Sequence, residues 1–172
     1  MPFYNRPSPD EYAPYYHKYV CLVPAGDVLV TLAEQGVAAG DLWAGLDETR
    51  AGRRYEAGKW SVKEVVGHLL DTERVFALRA LWFARGDAGP LPSMEQDEWV
   101  VEGRFDARRI ADLAAEYAVL RRASLLLFRN LDASVLERRG VASGREITVR
   151  AFPWLIAGHE RHHLDILRER YL

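Results

Sequence analysis

The sequence predicts an all-α protein: a four-helix bundle of antiparallel type with long connections between helices two and three and between helices three and four. Three observations carry this. Four stretches repeat apolar residues at helical spacing rather than in strand alternation. One of them opens on a clear start signal, Ser61-Val-Lys-Glu64. Polar or Gly- and Pro-bearing segments separate the stretches. The 172 residues suit one domain, spanning 1–172, with enough chain to bury a substantial core. There are no internal repeats, low-complexity tracts or interdomain linkers.

Residues 1–23 are rich in Pro and Tyr, and Tyr12, Tyr15, Tyr16 and Tyr19 read as an ordered lead-in packing aromatics on the body. His17, alone among them, reads as a packing or surface residue. A first helix is predicted from near Pro24, carrying Val28, Leu29, Leu32, Ala33 and Val37 and continuing through Leu42, Trp43 and Leu46. Gly36 and Gly40 each weaken it by ~1 kcal/mol relative to Ala, so the pattern allows a break there. Asp47 to Gly58 is a polar connector.

The second helix starts at the capping box, in which Ser61 bonds the Glu64 amide and Glu64 reaches back. Trp60 and Val65 complete a hydrophobic staple. Val62, Val65, Leu69, Phe76 and Ala80 form its apolar face, and it should run to about Arg85, before Gly86. His68 lies ~100° from the centre of that face, beside the acidic edge of Glu64 and Asp71. There it reads either as a ligand lining a cleft or as a half-exposed histidine of no consequence.

Residues 86–106 form the longest stretch predicted to be non-helical; Gln96, Asp97 and Trp99 read as a pocket rim or as a solvated loop with one anchoring Trp. Asp106 is the expected cap of a third helix from Ala107 to about Asn130, whose inner side carries Ile110, Leu113, Ala114, Tyr117, Leu120, Leu125 and Phe128. Residues 131–149 read as loop, with a brief extended segment over Glu146–Val149. Thr148 is the expected cap of the fourth helix, and Pro153 disturbs its first turn.

That closing helix holds three of the five histidines, His159, His162 and His163. His159 and His163 stand one turn apart on one face, so their imidazoles can converge on one ion. His162 is rotated ~60° from His159 and is the poorer candidate. The pair reads equally as two metal ligands or as a polar helix edge. The residues also spell H-E-x-x-H, which in zinc proteases supplies two ligands and a general-base glutamate. Only nine residues follow His163 and none is a histidine, so a third ligand has to come from upstream and the protease reading loses its weight. Glu160 is the candidate catalytic residue, as general base or as acceptor from a ligand. Its ~100° rotation from the ligand face also suits a surface glutamate.

Composition narrows the function. A formal charge of −2 leaves no basic excess for nucleic acid. No apolar run approaches ~18 residues, so no membrane span is expected. The opening segment lacks the apolar stretch of a secretory signal. A single cysteine, Cys21, forms no internal disulfide and suits a reducing cytoplasm.

Gly58-Lys-Trp-Ser-Val-Lys-Glu-Val-Val-Gly-His68-Leu-Leu-Asp-Thr-Glu-Arg, Glu95-Gln-Asp97 and Ala157-Gly-His159-Glu-Arg-His-His163 resemble the DinB/YfiT superfamily, and the likeness covers nearly the whole chain. It implies a four-helix bundle that binds one divalent ion through His68, His159 and His163, often as a homodimer. Similar proteins transfer low-molecular-weight thiols such as bacillithiol or mycothiol, or isomerise maleylpyruvate with mycothiol, and many have no known reaction. Three neutral imidazoles leave the ion's charge uncompensated and a coordination position open, as in catalytic rather than structural sites. Zinc or nickel is the expected ion. The resulting expectation is a cytoplasmic metal-dependent thiol S-transferase or hydrolase-like enzyme acting on a small molecule. The alternative is a metal-binding stress-response or interaction protein that catalyses nothing.

Overall fold

The computed structural model describes residues 4–172; the first three residues of the predicted lead-in lie outside it. The described residues hold seven α-helices and one hairpin, besides short 3-10 turns: α1 (His17–Val20), α2 (Val28–Ala44), α3 (Glu48–Ala51), α4 (Val62–Ala84), α5 (Gln96–Gly103), α6 (Ile110–Arg129), β1 (Arg139–Ala142), β2 (Arg145–Thr148) and α7 (Ala151–Arg170). Four of them, α2, α4, α6 and α7, form the bundle. No helix among the described residues is long and apolar enough to cross a membrane.

The bundle is not simply antiparallel. Around it the order is α2, α6, α4, α7, each packed extensively on the next. The start of α4 meets the end of α7, where Tyr171 donates to the Trp60 carbonyl at 2.7 Å. The end of α4 meets the start of α7, with the Phe83 and Phe152 rings 5.9 Å apart. These two helices are therefore antiparallel. In contrast, α4 and α6 are parallel: Ser61 bonds Asp106 near their starts, and Glu73 bonds Arg121 further along both. Parallel neighbours require a crossover that returns the length of the bundle. The 23 residues of α4 make that return about 34 Å. This is why the connection after α4 is long, and why it runs along the outside of α4.

That connection is not wholly irregular, because α5 occupies Gln96–Gly103. Nor does Asp106 cap the third bundle helix. Phe105 turns inward against Gly67, at the place a β-carbon would fill, 2.2 Å away. Asp106 is drawn to Ser61 and Arg54. The helix begins only at Ile110, whose amide is capped by Glu48 Oε1 at 2.9 Å. Thr148 likewise caps nothing: its hydroxyl donates to Glu11 at 2.9 Å. Pro153 is the third residue of α7, where the missing N–H would have had no helical partner. The expected extended segment after Ser143-Gly144 exists as β2, paired antiparallel with β1 (Arg139↔Thr148, Ala142↔Arg145). Ser143 and Gly144 both have positive φ, as a two-residue hairpin turn of this hand demands.

α2 runs unbroken through its glycines. At Gly36 a β-carbon would lie 2.8 Å from Arg121 Cγ, so the glycine makes room for that side chain; at Gly40 nothing lies within 4 Å. Gly40→Ala is accordingly expected to stabilise the protein by about 0.5–1 kcal/mol in thermal unfolding.

The core falls into two apolar clusters. One gathers the start of α2 and α7 with the ends of α4 and α6, around Leu32, Phe83, Phe128, Phe152 and Leu155. The other gathers the opposite ends, around Trp43, Val66, Leu70, Leu113 and Leu167. Between them runs a layer of buried polar residues: Thr72, Glu73, Arg121, Ser124, His159 and Glu160.

Candidate metal centre

At the α4–α7 seam of this layer, His68 from α4 meets His159 and His163 from α7. The His68 and His159 Nε2 atoms are 3.0 Å apart, and those of His163 and His159 3.2 Å apart. One ligand atom from each residue lies within 4.8 Å of the others. His162 is outside this group; its half-buried ring packs on Tyr19 and His163, at 5.4 and 5.2 Å between centroids. His17 lies apart, bonding Tyr12 and Cys21 at the surface.

The arrangement is poor as a set of hydrogen bonds and good as a donor set. Nε2 of His159 carries either one N–H or one in-plane lone pair, enough for one good hydrogen bond and not two. An ion with tetrahedral bonds of 2.0–2.1 Å spaces its ligand atoms by roughly 3.3 Å, close to what is found. The residues present therefore fit a divalent cation. His68 is buried rather than half-exposed, at 2% accessibility. Burial pushes its pKa down to about 4 and that of His163 to about 3, and holds His159 well below the usual range. All three are neutral at pH 7, as metal binding requires.

Both deeply buried histidines follow a glycine. Gly67 admits the Phe105 ring, and Gly158 lets the Tyr19 backbone approach so closely that an added β-carbon would lie 2.1 Å from its carbonyl oxygen. Tyr19 in turn packs edge-on to His159 at 5.3 Å. Gly158→Ala should therefore push α1 off the site, costing about 1–3 kcal/mol in thermal unfolding.

Two clefts flank the triad. His68 and His159 line a cavity of about 220 Å³ together with Tyr16, Tyr19, Thr72, Phe76, Arg79 and the crossover residues Met94 to Gln96. His163 lines another of about 280 Å³ with Trp60, Tyr171 and Asp97. Gln96 and Asp97 thus belong to the rims of two different clefts on either side of the triad. Trp99 is 44% exposed rather than a buried anchor.

Glu160 is not at the surface, contrary to its helical angle. It is 2% exposed, accepts from Tyr117 Oη at 2.6 Å and pairs with Arg121. Arg121 also forks onto Glu73, at 2.8 and 3.0 Å, and donates to the Leu32 carbonyl at 2.9 Å. A side chain so committed holds the bundle's middle together. Apolar periodicity gave no sign of this cluster; the one available signal was charge, since Glu73 and Arg121 fall within otherwise core-bearing helices.

The depressed histidine pKa values set a pH dependence. An unfolded histidine takes its proton near pH 6.5, whereas His68 and His163 do so only near 4 and 3. Between those limits the unfolded chain binds more protons, so the stability of the metal-free protein should fall as pH drops from about 6.5 toward 3–4. Thermal unfolding across that range should show the slope, and it should flatten in His68→Ala.

A family profile for the DinB superfamily matches residues 33–167. The fold is similar to that of YfiT from Bacillus subtilis, described as a probable metal-dependent hydrolase with an unusual four-helix bundle topology: TM-score 0.71, 18% identity, 95% of this chain and 91% of that one covered. No curated protein matches the chain. With the profile spanning most of the sequence, and the bundle in place, the chain belongs to the DinB superfamily.

Proposed function

We propose that the protein is a metal-dependent enzyme acting on a small molecule, with His68, His159 and His163 holding one zinc or nickel ion, and that its nucleophile is a low-molecular-weight thiol. The observation that carries the reading is the convergence of three neutral Nε2 atoms beside a cavity of about 220 Å³. A divalent ion there would lower the pKa of a coordinating thiol so that its proton is lost to solvent, and would position the thiolate for attack.

Thiol transfer is preferred to hydrolysis, the activity suggested for YfiT, because of Glu160. The ion alone would lower the pKa of a bound water, but the general base that protease-type hydrolysis adds is missing, because Glu160 is tied to Arg121 and Tyr117. A thiol needs no such base once its proton is lost. The aromatic walls, Tyr16, Tyr19 and Phe76, would shield the nucleophile from bulk water. The single exposed Cys21 is compatible with a reducing compartment, where such thiols are kept.

Adding a low-molecular-weight thiol to cobalt-substituted protein should produce sulfur-to-metal charge-transfer absorption. A spectrum that no thiol alters would refute thiol transfer.

A further inference from the structure

The cavity beside the histidines contains a cation that ion binding does not use. Arg79 stands eleven residues after His68 on α4. That spacing returns to within ~20° of the same helix face, so His68, Thr72, Val75 and Arg79 form one stripe along the cavity wall. Arg79 is 5% exposed. Its Nη2 donates to two neutral oxygens, the Pro92 carbonyl at 2.6 Å and Ser143 Oγ at 3.1 Å. Among the described residues it forms no ion pair within 4.0 Å.

A buried charge normally has a partner. The chain's other deeply buried arginine, Arg121, meets two carboxylates. Burial lowers the Arg79 pKa, and Tyr16 is the group opposing that shift. On the same wall the buried Thr72 hydroxyl has no hydrogen-bond partner. The acid lining this cavity, Glu95, is exposed at its rim. Lys18 stands over the ring of Tyr15, one of the cavity-lining residues, at 4.0 Å. The cavity is therefore a cationic end, an unpartnered hydroxyl and a histidine end in a row.

The geometry points to Arg79 as an anion seat: the substrate carries a carboxylate or similar small anion bound by Arg79, contacts Thr72 along its length, and presents its reacting group to the histidines. The rise along α4 between His68 and Arg79 is about 16 Å. Both side chains tilt toward the helix N-terminus and Arg79 is the longer, so the two ends lie somewhat less than that rise apart, on the order of 10–15 Å. The inference rests on the proposed metal site only for where the reacting end lies.

The test compares 6-mercaptohexanoate with 6-mercaptohexanol on cobalt-substituted protein, by titration calorimetry and by the cobalt spectrum. The carboxylate should bind about tenfold or more tightly than the alcohol, as expected for a charged hydrogen bond. Arg79→Met should abolish that preference while leaving the alcohol's affinity unchanged. Arg79→Lys should retain part of it. Ser143→Ala, which loosens Arg79 without removing its charge, should keep it; so should Glu95→Gln, which removes the rim acid. Circular dichroism checks that each variant is folded. Equal binding of the two ligands by the parent protein, or a preference surviving in Arg79→Met, would overturn the anion seat. If Arg79→Met does not fold, a reduced but residual preference in Arg79→Lys supports the seat and an undiminished one overturns it, while full retention in Glu95→Gln excludes the rim acid as the group that matters. A carboxylate preference without a cobalt band supports the seat and refutes thiol coordination. A band with both ligands at equal affinity does the reverse, and no heat with either refutes both.

Discussion

His68→Ala is expected to lose most of its bound divalent metal while keeping nearly all of its helical content. The three histidines proposed to hold the ion come one from α4 and two from α7, so removing His68 leaves two imidazoles on one helix without their partner across the seam. Losing a direct ligand should weaken binding by more than the ~10–100-fold typical of an outer partner. The fold should survive, because apolar clusters lie on either side of the polar layer and neither depends on the ion. This distinguishes the protein from a zinc finger, which has too small a core to fold without metal. His162→Ala should keep the metal, its ring being packed on Tyr19 rather than aimed at the other nitrogens. Metal stoichiometry and circular dichroism on the two variants check this; full occupancy in His68→Ala would contradict the ligand assignment.

The largest loss of stability should come from Arg121→Met. It strands two carboxylates, on Glu73 and Glu160, each 4% exposed or less, in the middle of the bundle. Breaking a buried pair from one side costs about 3–5 kcal/mol. For a chain of this size that is a drop of roughly 6–20 °C in thermal midpoint. Glu160→Gln should cost far less: it leaves Arg121 paired with Glu73 and removes one charge from a cluster of two acids and one base. It should also retain the metal, since Glu160 is outside the triad. An Arg121→Met protein melting within a few degrees of the parent would show that the cluster is not what holds the polar layer.

Much of this was legible in the sequence because the signals are local. The Ser61–Glu64 capping box is present as read, with Ser61 Oγ bonded to the Glu64 amide at 3.1 Å and Glu64 Oε2 to the Ser61 amide at 2.8 Å. The i,i+4 spacing of His159 and His163 puts them on one face by helix geometry alone. What could not be read depends on partners distant in the chain. Ile110 is capped by Glu48, so Asp106 was a local decoy. Thr148 is drawn to Glu11. Glu160 lies off the ligand face, and angle alone suggests solvent; it faces two neighbouring helices instead. The parallel packing of α4 and α6 was likewise invisible, although the length of the connection between them is its consequence. Arg79 carries no local signal, since a single arginine late in an amphipathic helix is usually solvated. Its position on the His68 stripe was the available clue.

The central claim is that three imidazoles from two helices hold one ion and leave it accessible. X-ray absorption on the zinc-loaded protein tests it most directly. The account predicts a first shell with three imidazole nitrogens at about 2.0–2.1 Å and an added sulfur at about 2.3 Å when a thiol is supplied. A shell of two imidazoles, or one closed by a fourth protein ligand and unchanged by thiol, would contradict it.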